Sequence, residues 1–211
     1  MSFKCLVCDF DGTVADTFDQ AVRIFNELAL EHGFRQVGRS EIEQVRGMTL
    51  RQFLRFGRIP KRRMPGLLLA GRSKLAREAH TIPAVEGIGE VLGIARRQLP
   101  RIGILTSNSE HNVRTFAETR GLDIFDFISS VPKLGGKAKY LKAIMMTYSL
   151  APHEILFIGD EMRDIKAGKK ARVPVGAVTW GFNSRELLKS AAPDYIIESP
   201  GELLEVLCPE S

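Results

Sequence analysis

The chain has 211 residues, 44% of them hydrophobic and 26% charged, which suits one moderately large domain or a core carrying a smaller insert and is too apolar for disorder. Its formal net charge of +5 is a small excess, read as a solvated surface rather than a polyanion-binding face. The first apolar run, Leu6-Val7-Cys8, lies between Lys4 and Asp9 and is far short of a secretory or membrane-spanning segment, so a cytoplasmic protein with no membrane partner is expected.

The first predicted strand, 3–10, reads FKCLVCDF and runs straight into DFDGT. Cys5 and Cys8 lie along it, and residues three apart on a strand point to opposite faces, so the pair reads as two buried thiols. Asp9 and Asp11 are two apart and would point the same way. Such a pair suits a shared proton, a metal site, or a nucleophile beside an acid–base group. It is equally compatible with two turn aspartates ahead of Gly12.

From 15 to 83 no strand pattern appears, and helices are predicted at 17–32, 40–45, 49–56 and 65–80. So long a connection between the first and second strands reads as an inserted helical subdomain, leaving 1–14 and 84–211 as the core domain. The insert carries a basic run of Arg51, Arg55, Arg58, Lys61, Arg62 and Arg63. Only Phe53 and Phe56 interleave with it, so a solvated face is expected and no nucleic-acid partner.

After the insert, strands are predicted at 101–108, 125–131, 154–160, 173–180 and 193–197. Helices are predicted at 85–98, 110–120, 137–149, 163–172, 185–190 and 201–207. Continuous apolar strands alternating with helices imply an α/β, Rossmann-like, doubly wound parallel sheet with right-handed crossovers. Ligands in such sheets bind at the carboxyl ends of the strands, where this chain places polar clusters. The second strand ends in Thr106-Ser107-Asn108, groups suited to a phosphoryl oxygen and equally to capping. Lys133, Lys137 and Lys139 follow as alternative site cations. The fourth strand ends in Gly159 and is followed by Asp160, Glu161 and, four residues after Asp160, Asp164. Three acids there are more than helix capping requires, and hard oxygen ligands suit magnesium.

DFDGT, TSN, a lysine and GDEMRD, in that order, resemble the four motifs of the haloacid dehalogenase-like hydrolase superfamily. The resemblance covers the whole chain: the insert resembles that superfamily's first-position helical cap, and the closing segment is similar to phosphoglycolate-phosphatase-like members. It implies a magnesium-dependent phosphatase acting on a small phosphorylated metabolite. Asp9 would then be the nucleophile that forms an aspartyl-phosphate, and Asp11 the acid–base residue. Thr106 would hold phosphoryl oxygens and Lys137 would offset charge. Asp160 and Asp164 would bind the metal with Asp9 and the Asp11 carbonyl, Glu161 being a further candidate. Thr13, Ser107 and Asn108 are candidate substrate contacts, as are Arg46 and Gly47 of VRGMT, which resembles the cap loop facing the site. The second aspartate, Asp11, separates phosphatases and mutases from carbon-attacking dehalogenases. A phosphosugar mutase and, from another class, a receiver-type phospho-acceptor domain are the alternatives.

Overall fold

The structure is a computed structural model and describes residues 3–78, 80–131 and 136–208. Six parallel strands form one sheet: β1 (Cys5–Cys8), β2 (Arg101–Thr106), β3 (Phe127–Ser130), β4 (Ile155–Gly159), β5 (Val175–Val178) and β6 (Tyr195–Ile197). Their order is β3-β2-β1-β4-β5-β6. The chain therefore leaves β1 toward one edge and returns to its other side at β4. This reversal opens a crevice at the carboxyl ends of β1 and β4.

The strands are buried because both faces are covered. Leu6, Cys8, Ile104 and Ile158 share one cluster with residues of α5 (Ile88–Gln98), α6 (Glu110–Arg120) and α10 (Pro200–Leu207). Cys5, Val7, Ile155 and Phe157 share the other with α7 (Lys137–Thr147) and the end of α8 (Met162–Ala171). Cys5 and Cys8 thus fall on opposite faces, both free and buried, as the strand period requires. Helix α9 (Arg185–Ser190) precedes β6.

Between β1 and α5 lie α1 (Phe18–His32), α2 (Ile42–Arg46), α3 (Leu50–Phe56) and α4 (Met64–Arg77). Helices α1 and α4 are tied by Lys74 to Glu27 and Glu31, at 2.9 Å each. The two chain segments leading into and out of this region run side by side. The Asp16 N–H donates to the Pro83 carbonyl at 2.9 Å, and the Val85 N–H to that of Val14 at 3.0 Å. The six side chains of the basic run are exposed, while Phe53 packs on Phe25 and Phe56 lies under Arg35.

Most helix boundaries shift by one to three residues from expectation, and two of the shifts have a local cause. Helix α5 starts at Ile88 instead of 85 because Gly87, with φ of 78°, breaks the helical path. Helix α7 ends at Thr147 instead of 149, where Ser149 turns to φ of 52°. No helix among the described residues is long and apolar enough to cross a membrane.

Candidate active site

Four of the strand ends supply one cluster. Asp9 follows β1 directly, and its N–H continues the ladder to the Ile158 carbonyl at 2.8 Å, which fixes where the side chain leaves the sheet. Its Oδ1 accepts from the Phe10 N–H at 2.7 Å. Its Oδ2 lies 2.5 Å from the Lys137 ammonium, which also reaches Asp164 Oδ1 at 2.7 Å. Lys137 is the first residue of α7 and is buried, whereas Lys139 is exposed. Lys133 lies outside the described residues.

Asp160 follows β4 and is fully buried. Its Oδ1 accepts from the Thr13 hydroxyl at 2.9 Å and its Oδ2 from the Phe182 N–H at 2.7 Å. The backbone is pressed against it. A Cβ at Gly12, whose φ is 75°, would fall 2.4 Å from Asp160 Oδ2, and one at Gly181 would fall 2.3 Å from it. Asp164, in the first turn of α8, caps its own helix by accepting from the Glu161 N–H at 3.1 Å. Helix capping and ion pairing by Asp164 are therefore compatible.

One carboxylate oxygen from each of Asp9, Asp160 and Asp164 lies within 4.8 Å of the other two. The Glu161 carboxylate stands outside that group and pairs with Arg163 at 2.5 Å. Three buried acids against one buried lysine leave an excess of negative charge, and three hard oxygen donors suit a divalent cation. Electrostatics agrees. Burial first, then the charges of Glu161, Asp9 and Asp164, push the Asp160 carboxyl well above its ordinary range. Burial pushes Asp9 up to about 7, with Lys137 opposing and Asp164 adding to the rise. Burial also works against the Lys137 ammonium, but Asp164 and Asp9 outweigh it and raise the group.

Asp11 is half-buried and stands opposite Asn108, whose Nδ2 donates to its two carboxylate oxygens at 3.3 and 3.2 Å. Burial raises Asp11 to about 6, while the Asn108 bond works to lower it. Asn108 is held in turn: its Oδ1 accepts from the Ser109 N–H at 2.8 Å and Asn112 Nδ2 at 2.9 Å. Thr106 is buried, and its Oγ1 accepts from the Asn108 N–H at 2.9 Å, so its O–H remains available to a ligand. Ser107 is half-buried.

Other expected contacts are engaged elsewhere. The Thr13 hydroxyl is committed to Asp160. Arg46 turns its Nη2 onto the carbonyls of Thr179 and Gly181, at 2.9 and 2.8 Å, and Gly47 is exposed. Two contributors, Arg163 and the Phe182 N–H, escape the motif reading, and Asn108, expected as a substrate contact, has another partner. Arg163 sits amid the acids: burial opposes its charge, but Glu161, then Asp164, Asp9 and Asp160, outweigh it and raise it. Asn108 proves to be the partner of Asp11. The Phe182 N–H belongs to the loop after β5, at the carboxyl end of that strand.

Residues 6–178 match the family model for haloacid dehalogenase-like hydrolases. The chain belongs to that family. A phosphoglycolate phosphatase from Synechococcus elongatus is 28% identical to this haloacid dehalogenase-like hydrolase over 205 residues, covering 97% of each chain. The pyrophosphatase PpaX from Bacillus cereus is 22% identical over 213 residues, covering 98% of this chain and 97% of that one. Among solved structures, a predicted phosphatase from Clostridium acetobutylicum superposes with a TM-score of 0.81 at 23% identity, over 100% of both chains. A haloacid dehalogenase-like hydrolase from Streptococcus pneumoniae superposes with a TM-score of 0.79 at 22% identity, over 97% of this chain and 98% of that one. At these identities the structural likenesses speak for the fold. The family match leaves the receiver-type alternative without support.

Proposed function

We propose that the chain is a magnesium-dependent phosphatase that hydrolyses a small phosphorylated metabolite through an aspartyl-phosphate on Asp9. The observation that carries this reading is the packing of Asp9, Lys137, Asp164 and Asp160 into one buried cluster, with Asp11 close by on Asn108. The names of the phosphoglycolate phosphatase and pyrophosphatase relatives point to the same chemistry.

Asp9, Asp160 and Asp164 are the groups that would hold the ion. Bound there, magnesium supplies positive charge against the phosphoryl oxygens and the acids. The protein's own groups do the rest. A carboxylate oxygen of Asp9 attacks phosphorus as the bond to the leaving oxygen breaks, and the Asp11 carboxyl gives that oxygen its proton. Asp11, now a carboxylate, takes a proton from water as the water attacks the aspartyl-phosphate, which returns Asp9 and releases inorganic phosphate. Lys137 offsets the charge on Asp9, and the Thr106 O–H donates to a phosphoryl oxygen.

In this reading residues 15–83 form a helical cap on a core made of 1–14 and 84–211, and the cap excludes bulk water during turnover. The paired entry and exit segments support a hinge there. Hydrolysis of p-nitrophenyl phosphate tests the reading. It is expected to require magnesium and to vanish in Asp9→Asn; activity surviving both EDTA and that substitution refutes it.

A further inference from the structure

Arg46, at the end of α2, reaches across to the loop that follows β5. Its Nη2 donates to the Thr179 carbonyl at 2.9 Å and to the Gly181 carbonyl at 2.8 Å. The Ser184 N–H donates back to the Arg46 carbonyl at 2.9 Å. Beside this contact the Phe18 and Phe182 rings meet edge to face at 5.4 Å, and the Arg46 guanidinium lies 5.5 Å from the Phe18 ring centre. These bonds join the helical segment to the core loop at one place.

That same loop orients Asp160. The Phe182 N–H donates to Asp160 Oδ2 at 2.7 Å, and the Asn183 N–H to the Asp160 carbonyl at 3.2 Å. The Gly181 carbonyl and the Phe182 N–H are the two ends of a single peptide unit. A peptide unit is planar and trans, so its C=O and N–H point in opposite directions and turn together. The guanidinium grips one end and the Asp160 carboxylate grips the other. Cation and anion polarise the unit in the same sense, which strengthens both bonds. Rotating the Gly181–Phe182 peptide away from Asp160 would break the Arg46 bond as well. The close approach at Gly181 makes the arrangement tight, since even a Cβ there would collide with the Asp160 side chain.

We propose that Arg46 is a positioning residue that couples the seating of the helical cap to the orientation of Asp160 through the Gly181–Phe182 peptide. The inference rests on the reading of Asp160 as a metal ligand. When the cap lifts, Arg46 leaves, the peptide regains rotational freedom and Asp160 loses its preset geometry. Metal affinity therefore falls with the cap open. By reciprocity, a bound divalent cation favours the seated cap by the same factor.

The test is calorimetric titration of magnesium into the substrate-free protein, for the unmodified chain, Arg46→Ala, Arg46→Lys and Asp160→Asn. Arg46→Ala is expected to weaken binding by about fivefold or more. Arg46→Lys is expected to fall between, because an ammonium is a point charge without the planar fork. Asp160→Asn is expected to abolish binding. In the unmodified protein, magnesium is expected to slow hydrogen exchange at the Phe182 and Ser184 amides, a readout that needs no variant to fold. Unchanged affinity in Arg46→Ala with a raised KM, the mark of a substrate contact, overturns the coupling and leaves the proposed function standing. Exchange at Ser184 that ignores magnesium overturns it as well. Binding that survives in Asp160→Asn overturns both.

Discussion

Lys137 Nζ lies 2.5 Å from Asp9 Oδ2, and both side chains are almost wholly buried. The contact joins the first turn of α7 to the end of β1, with Asp164 on the lysine's other side at 2.7 Å. Its geometry makes the lysine structural and electrostatic together. Replacing Lys137 by Ala leaves Asp9 and Asp164 buried without their shared cation. The variant is expected to lose about 3 kcal/mol or more of stability along with its activity. Denaturant unfolding checks the first part. The double variant Lys137→Met with Asp164→Asn is expected to recover part of the loss.

Asp11 and Asn108 give a prediction about leaving groups. An alcohol departs as an alkoxide unless a proton reaches it, whereas p-nitrophenolate needs little help. Asp11→Asn is expected to lower kcat/KM, which reads only the steps through departure of the leaving group, by about a hundredfold or more on an alkyl phosphate, and far less on p-nitrophenyl phosphate. Equal losses on both substrates would count against Asp11 as the acid.

Asn108→Ala removes a bond that lowers the Asp11 carboxyl, which stands at about 6. The pH profile of kcat/KM is expected to move its limb for Asp11 upward, with folding retained in the circular dichroism spectrum. A profile that stays in place removes Asn108 from the tuning of Asp11.

Without metal, the folded Asp9 and Asp11 carboxyls keep protons up to about 7 and about 6, above their ordinary value of 3.8. The folded state then binds more protons than the unfolded chain in that window. Deprotonation favours unfolding, so metal-free stability falls as pH rises from about 4 through about 7. A divalent cation takes over the role of those protons. At about a hundredfold over its dissociation constant it is expected to raise Tm by about 5–10 °C at neutral pH and by less in acid. A Tm that ignores magnesium at every pH contradicts the metal site.

The strand ends could be read in the sequence because β1 and β4 are continuous apolar runs that stop at an acid, Asp9 in one case and Asp160 in the other. Other features depend on three-dimensional packing. Lys137 and Lys139 are equivalent on paper; position on α7 buries one and exposes the other. Asn108 reads as a phosphate contact or a cap until Asp11 is seen opposite it. The Phe182 N–H carries no side-chain signature at all, since any residue but proline provides one. Arg46 lies in the motif that suggested a substrate contact, yet its direction is set by two main-chain carbonyls more than a hundred residues away in the chain.

In the proposed mechanism Asp9 carries the phosphoryl group during magnesium-dependent hydrolysis. Rapid acid quench of the enzyme with a radiolabelled phosphomonoester, followed by peptide mapping, tests it most directly. Label is expected on Asp9, appearing only with magnesium, decaying with turnover and absent from Asp9→Asn. Label on another residue, or full turnover by Asp9→Asn, would contradict it.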